Sequence, residues 1–226
     1  MANTAIKVCG LSTPETVDAA VDAGATHIGL VHYEPSPRHL SLEDAARLRR
    51  RVPPHVKVVL LLVNMEGVPT AQAVDAVKPD VIQFHGGETP EWLGLIKDKT
   101  PFEVWKAWGV RNADSLASAL KYKGAVDMML YDAPAKSAPG GQGLAIDWSL
   151  LAGHRHEIPW GLAGGLSPAN VAEAIRVTGA PLVDASSGLE TAPGVKDVDL
   201  IRAFCQAARE ARDHERAATQ LLPQPA

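Results

Sequence analysis

IKVCGLSTPETVDAAVDAGATHIGLVH, Ile6 to His32, contains one whole unit of the fold. Ile6–Cys9 is an apolar run of strand length, and His27–His32 is a second. Between them, Thr13 stands before Pro14 as a capping side chain in front of a first helical turn, where proline's missing N–H is tolerated. The amphipathic stretch that follows closes on a glycine in DAGA, Asp22 to Ala25. Strand, helix and strand in this order read as a parallel βα repeat.

The same alternation runs onward through strand-length segments at Lys57–Val63, Val81–His85, Glu103–Trp108, Met128–Asp132, Trp160–Ala163 and Leu182–Ala185, each followed by a helical pattern. Ser41, Thr89 before Pro90, Asn112 and Ser167 before Pro168 mark further helix starts. The chain has 226 residues, 46% hydrophobic and 21% charged, enough for one large soluble core. Eight βα units with no Pro/Gly-rich linker between them predict an α/β fold, a single closed (β/α)8 barrel of the TIM class over residues 1–212. An open doubly wound sheet of fewer strands is the weaker alternative. Residues 213–226, DHERAATQLLPQPA, match no repeat and are expected to be a poorly ordered tail.

A net charge of −4 with both signs mixed along the chain gives no basic face for nucleic acid and no polybasic membrane patch. The first residues lack the long apolar segment of a signal peptide, and no apolar run approaches the ~18 residues of a membrane helix. A cytoplasmic protein without nucleic-acid or membrane partners is therefore expected. The two cysteines, Cys9 in the first strand and Cys205 in a C-terminal helical pattern, make neither a disulfide framework nor a metal-ligand spacing. No long apolar surface patch stands out, so a monomer is expected.

In a barrel of this kind, chemistry gathers at the C-terminal ends of the strands. Strand 1 ends in Cys9, and the loop after strand 2 carries Ser36, Pro37 and Arg38. Strand 4 ends in QFHG with His85, and strand 6 ends in Asp132. Strands 7 and 8 run into AGG and DASSG, where Gly164 and Gly165, then Ser186, Ser187 and Gly188, offer close backbone approach and hydroxyls. Loops after the last two strands are where many barrels hold a phosphate. Each member has a plain packing reading as well: a buried cysteine is often only a small core residue, and glycines also simply make turns.

The motifs KVCG, SPR, QFHG, DW at Asp147 and Trp148, LAGGLSPANV and DASSGLE…PGVKD resemble, in register and up to about Phe204, the phosphoribosylanthranilate isomerase family of tryptophan biosynthesis. The resemblance implies an Amadori rearrangement, in which the aminoaldose phosphoribosylanthranilate becomes carboxyphenylamino-deoxyribulose phosphate without a metal or an organic cofactor. It also implies that Arg38 grips the anthranilate carboxylate and that His85 and Asp184 lie near the substrate. Such a reaction needs an acid to open the furanose ring and a base to remove the C2 proton. Asp132 is the acid candidate and Cys9 the base candidate, with a neighbouring cation required to favour the thiolate. Lys7 shares a strand face with Cys9, which by itself does not establish contact.

Other readings follow from single positions. Trp92, Trp105 and Trp148 are expected to pack helices against the barrel, while Trp108 or Tyr33 offers a ring for the anthranilate. His32 replaces an aromatic residue common in the family's second strand, and points either into the pocket or outward. Ala133 to Leu144, APAKSAPGGQGL, reads as a closing flap hinged on Gly140, Gly141 and Gly143. An indoleglycerol-phosphate synthase on the same barrel would be expected to use lysine and glutamate at the early strand ends, and a histidine-pathway sugar isomerase to carry aspartate at position 9. Cys9 speaks against both.

Overall fold

The apolar runs form strands β1 Ala5–Cys9, β2 His27–Val31, β3 Lys57–Leu62, β4 Val81–Phe84, β5 Glu103–Gly109, β6 Met128–Asp132, β7 Trp160–Leu162 and β8 Leu182–Ala185 in the computed structural model, which describes residues 4–134 and 146–220. Each strand pairs in parallel with the next, and β1 pairs with β8, so the sheet closes into an eight-stranded barrel. The open-sheet alternative is excluded by the β1–β8 register of Lys7 opposite Asp184.

Seven α-helices surround it among the described residues: α1 Pro14–Asp22, α2 Leu42–Arg49, α3 Val68–Val77, α4 Pro90–Lys99, α5 Ala113–Ala117, α6 Val171–Thr178 and α7 Val198–Gln220. The helix expected after β6 falls mostly on residues 135–145, outside the described residues; the described residues before β7 contain a 3-10 turn, Trp148–Leu150. A short hairpin, β9 Glu190–Ala192 and β10 Val195–Lys196, stands between β8 and α7 and was not foreseen. Its turn uses Gly194 at φ +83°, where an added Cβ would lie 2.4 Å from the Pro37 carbonyl oxygen. The hairpin therefore lies directly against the β2 loop that carries Arg38. Helix α7 extends beyond Asp213, where the sequence reading ends the domain; residues 221–226 lie outside the described residues.

The helix starts follow the capping logic, each such cap contributing about 1 kcal/mol. Thr13, Ser41 and Thr89 each accept a hydrogen bond from the N–H three residues on, and Asn112 with Ser115 forms a full capping box. Ser167 does not cap α6, which begins later, at Val171. Its N–H instead donates to Asn170 Oδ1 at 2.8 Å, since the chain there is bent into the loop after β7.

Alternation along the strands separates two cores. Ile6, Val8, Ile28, Leu30, Val58, Leu60 and Val104 face outward beneath the helices. Val59, Val81, Trp105, Ala107, Leu130 and Leu182 fill the barrel interior, and Cys9, Val31, Leu61 and Val63 form a layer above them with Tyr33 against it. Trp92 and Trp148 pack against the outer core as expected. Trp105 does not: its position in β5 has inward parity, and its ring lies 5.2 Å from that of His27 inside the barrel. Burial, then the positive charges of Lys57 and Lys7, lower the pKa of His27 to about 3, so this interior imidazole is neutral.

Candidate active site

Cys9, the last residue of β1, lies inside the barrel mouth with 5% of its surface exposed. Its register partner is Gly29 of β2, where an added Cβ would lie 2.7 Å from the sulfur. The thiol thus occupies space that a side chain on β2 would take. Burial pushes the Cys9 thiol above its ordinary pKa; the Lys7 ammonium opposes this most strongly, Asp184 reinforces it, and Lys196 opposes it more weakly. Lys7 is fully buried and donates to Asp184 Oδ2 at 2.8 Å. Lys7, two residues back on the same strand, is thus the strongest cation beside the thiol, but burial outweighs it and the thiol stays above its ordinary pKa rather than below it as expected.

Asp132 closes β6, three strands from β1 around the ring through β7 and β8, so the carboxyl and the thiol face one mouth. Its Oδ1 accepts from the Ala133 N–H at 2.8 Å, and its Oδ2 lies 3.3 Å from His85 Nε2. Gly164 packs close by: at φ +84°, an added Cβ would come within 2.4 Å of the Ala133 nitrogen and 3.1 Å of Asp132 Oδ1. Asp184, between Cys9 and Asp132 around the mouth, has a buried Oδ1 with no hydrogen-bond partner among the described residues. Burial raises its pKa against the pull of Lys7, and the nearby Asp132 adds to the rise.

Arg38 is buried and already committed on one edge. Its Nε and Nη2 each donate at 2.7 Å to the two oxygens of Glu190 on β9. Burial raises the Glu190 carboxyl, but Arg38 and Lys196 outweigh it and hold the group below its ordinary pKa. Lys196 of β10 also pairs with Glu190 and donates to the Ser186 carbonyl at 3.1 Å and to Ser186 Oγ at 3.3 Å. A carboxylate ligand would accordingly meet the outer edge of the guanidinium. Gly10, at φ +76°, leaves room for the Arg38 stem, whose Cδ would lie 2.6 Å from an added Cβ.

The two small-residue turns stand side by side. Gly164 and Gly165 have φ of +84° and +71°, a region that side-chain-bearing residues disfavour. Asn170 braces that loop, donating from Nδ2 to the Gly165 carbonyl at 3.0 Å while accepting from Ser167. Ser187–Leu189 is a 3-10 turn that starts directly after β8 and Ser186. Gly188 has a packing reason of its own, since a Cβ there would collide with the Leu166 carbonyl oxygen at 2.0 Å.

Several side chains are not brought to the mouth. His32 points outward, with Nδ1 2.8 Å from the Leu40 carbonyl oxygen and its ring beside His39. Trp108 also faces outward, donating to the Ser115 carbonyl and packing edge-on against Tyr122. Of the two candidate aromatic rings, only Tyr33 lies beside the Cys9 layer. The flap reading of Ala133 to Leu144 falls mostly on residues 135–145, outside the described residues. Sequence reasoning missed Glu190, Lys196, Gly29 and Asn170. The inward parity of position 29, opposite Cys9, was the available signal for one of them, and the other three stand inside the motifs LAGGLSPANV and DASSGLE…PGVKD.

Among the described residues, no group of three or more His, Cys, Asp or Glu side chains is placed to hold a metal ion. No helix among them is long and apolar enough to cross a membrane.

Residues 6–207 match the family model described as N-(5'-phosphoribosyl)anthranilate (PRA) isomerase. The chain is 61% identical over 208 residues to N-(5'-phosphoribosyl)anthranilate isomerase of Erythrobacter litoralis, covering 92% of this chain and all of that protein. Among solved structures, phosphoribosyl anthranilate isomerase from Thermotoga maritima superposes with a TM-score of 0.84 at 36% identity, over 93% of this chain and all of the other. A phosphoribosyl anthranilate isomerase in complex with reduced 1-(o-carboxyphenylamino)-1-deoxyribulose 5-phosphate gives 0.81 at 34% identity, with the same coverage.

Proposed function

This chain belongs to the N-(5'-phosphoribosyl)anthranilate isomerase family and catalyses that isomerisation in tryptophan biosynthesis; we propose that Asp132 is its general acid and Cys9 its general base. The observation that carries the assignment is their placement on β6 and β1, across one mouth that also holds Arg38 and both small-residue turns.

Asp132 donates its proton to the furanose ring oxygen as the C1–O bond breaks, and the anthranilate nitrogen lone pair forms the C1=N iminium. The Cys9 thiolate then takes the C2 proton. The C2–H electron pair becomes the C1=C2 bond, and the iminium π pair returns to nitrogen, leaving a neutral enolamine. Tautomerisation to the ketone delivers a proton to C1 and releases the enol proton, so both groups regain their starting states over the cycle. His85 orients Asp132, and Asp184 lies between the two sites of proton transfer. The reaction is followed by the change in anthranilate fluorescence on isomerisation.

Arg38 binds the anthranilate carboxylate through the guanidinium edge that Glu190 leaves free. Arg38→Ala raises KM for substrate and Kd for product about tenfold to a hundredfold, matching the ~1.5–3 kcal/mol of a hydrogen bond to a charged group. Wild-type affinity in that variant would make Arg38 a structural partner of Glu190 alone.

The phosphate lies between the turns of β7 and β8, on Gly164, Gly165, Ser186, Ser187 and Gly188. At the φ of +71° observed for Gly165, a β-branched residue is strained by roughly 1–2 kcal/mol, and its side chain stands where the phosphate approaches. Gly165→Val raises KM about tenfold or more and weakens inhibition by inorganic phosphate in parallel. Unchanged phosphate inhibition would move the anion elsewhere.

The catalytic unit is the barrel together with helix α7, past the boundary at residue 212 expected from the sequence; it acts in the cytoplasm and works as a monomer. Among the described residues, the exposed large apolar side chains, Val68, Leu95, Leu120, Val177 and Val195, are spread over separate elements rather than gathered in one patch. Light scattering across a concentration series tests the monomer.

A further inference from the structure

Lys7 is a charge that a barrel interior has little reason to hold. Its side chain is wholly buried, points inward from the middle of β1, and lies between the apolar interior below and the Cys9 layer above. Asp184 of β8, its register partner, meets it at 2.8 Å. A buried ion pair is seldom a net gain over apolar residues of the same volume, so stability alone does not account for this one. It sits beside the thiol at the strand end, and the second oxygen of Asp184 has no partner among the described residues.

We propose that Lys7 is a positioning residue of the isomerisation: anchored by Asp184, its ammonium stands beneath Cys9 and stabilises the thiolate that removes the C2 proton. The inference rests on the assignment of Cys9 as base. Lys7 keeps its own protons throughout; its charge offsets the thiolate until the sulfur takes the substrate proton.

The charges around the thiol fix the sign of the effect. On β1, Lys7 favours the thiolate, and so does Lys196 of β10, which is already engaged with Glu190. Burial and Asp184 of β8 favour the thiol. Asp184 is in turn faced by Asp132 of β6 and His85 of β4, and the His27 ring of β2 is neutral. Burial works against the Lys7 ammonium itself, but Asp184 and Cys9 outweigh it and raise its pKa, so Lys7 stays charged across the working range. Removing the lysine therefore shifts Cys9 toward the thiol.

The test measures the rate of Cys9 alkylation by iodoacetamide against pH in the full chain. The Cys9→Ala protein supplies the background from Cys205, which is fully buried with its pKa pushed up to about 11. Lys7→Met is expected to raise the apparent pKa of alkylation by about one to three units, the range for loss of a close opposite charge. The acidic limb of kcat/KM should move the same way.

Because Lys7→Met also strands Asp184, the deciding comparison is Asp184→Asn against Lys7→Met/Asp184→Asn, a pair that removes that complication and remains available if the single variant does not fold. A further rise in alkylation pKa within this pair supports the proposal. Identical profiles overturn it, since Lys7 would then serve only to neutralise Asp184. A shifted profile together with a fully active Cys9→Ala enzyme overturns the base assignment instead, and with it the link from Lys7 to catalysis.

Discussion

Cys9→Ala lowers kcat by about 10²–10⁴-fold at neutral pH while substrate and product bind nearly as before, because general-base assistance is lost from the transition state alone. The structure separates this thiol from an ordinary buried one. Cys205, within α7, packs in the outer core, where burial, against the pull of Arg209, pushes its pKa up to about 11. Cys9 terminates an inward-facing strand, has room made for its sulfur at Gly29, and has a lysine set against its burial. Cys9→Ser falls close to Cys9→Ala, since a hydroxyl is a far weaker base at neutral pH. Alkylation of wild type abolishes turnover, and a bound product analogue protects against it. A Cys9→Ala enzyme with more than about a tenth of wild-type kcat would lie outside that catalytic range and return Cys9 to the role of a small core residue.

What the sequence discloses divides along a physical line. Strand positions are legible because apolar runs alternate with capped amphipathic stretches, and the ends of β1, β4, β6 and β8 name Cys9, His85, Asp132 and Ser186 by their place alone. The charged network is less legible because it joins residues far apart in the chain. Arg38 meets Glu190 only after the β9–β10 hairpin folds onto the β2 loop. That hairpin has strands of three and two residues, too short to leave a periodic pattern. Lys7 shows the intermediate case: its parity with Cys9 is visible, but its contact with Asp184 depends on barrel closure between the first and last strands. Trp105 and His32 were misread or undecided for want of a parity argument, since inward residues of β5 run Trp105 and Ala107 and the outward face of β2 continues to His32.

Asp132→Asn is expected to cost a similar 10²–10⁴-fold in kcat, for a different reason and at a different step. The amide keeps the shape of the carboxyl, and its oxygen still accepts from the Ala133 N–H, so the β6 end and the Gly164 contact are retained. What it lacks is a proton transferable to the ring oxygen. Ring opening then becomes rate-limiting, so substrate deuterated at C2 should show almost no isotope effect in this variant. In Cys9→Ala, where C2–H cleavage is the slow step, the isotope effect should be fully expressed. Since the two groups act in sequence on one substrate, the double variant is limited by whichever step is slower, and its loss falls well short of the product of the two single losses. A large C2 isotope effect in Asp132→Asn would place the carboxyl at the second proton transfer and remove it from ring opening. The His85 imidazole, 3.3 Å from Asp132 Oδ2, would then be the next group to test as the acid.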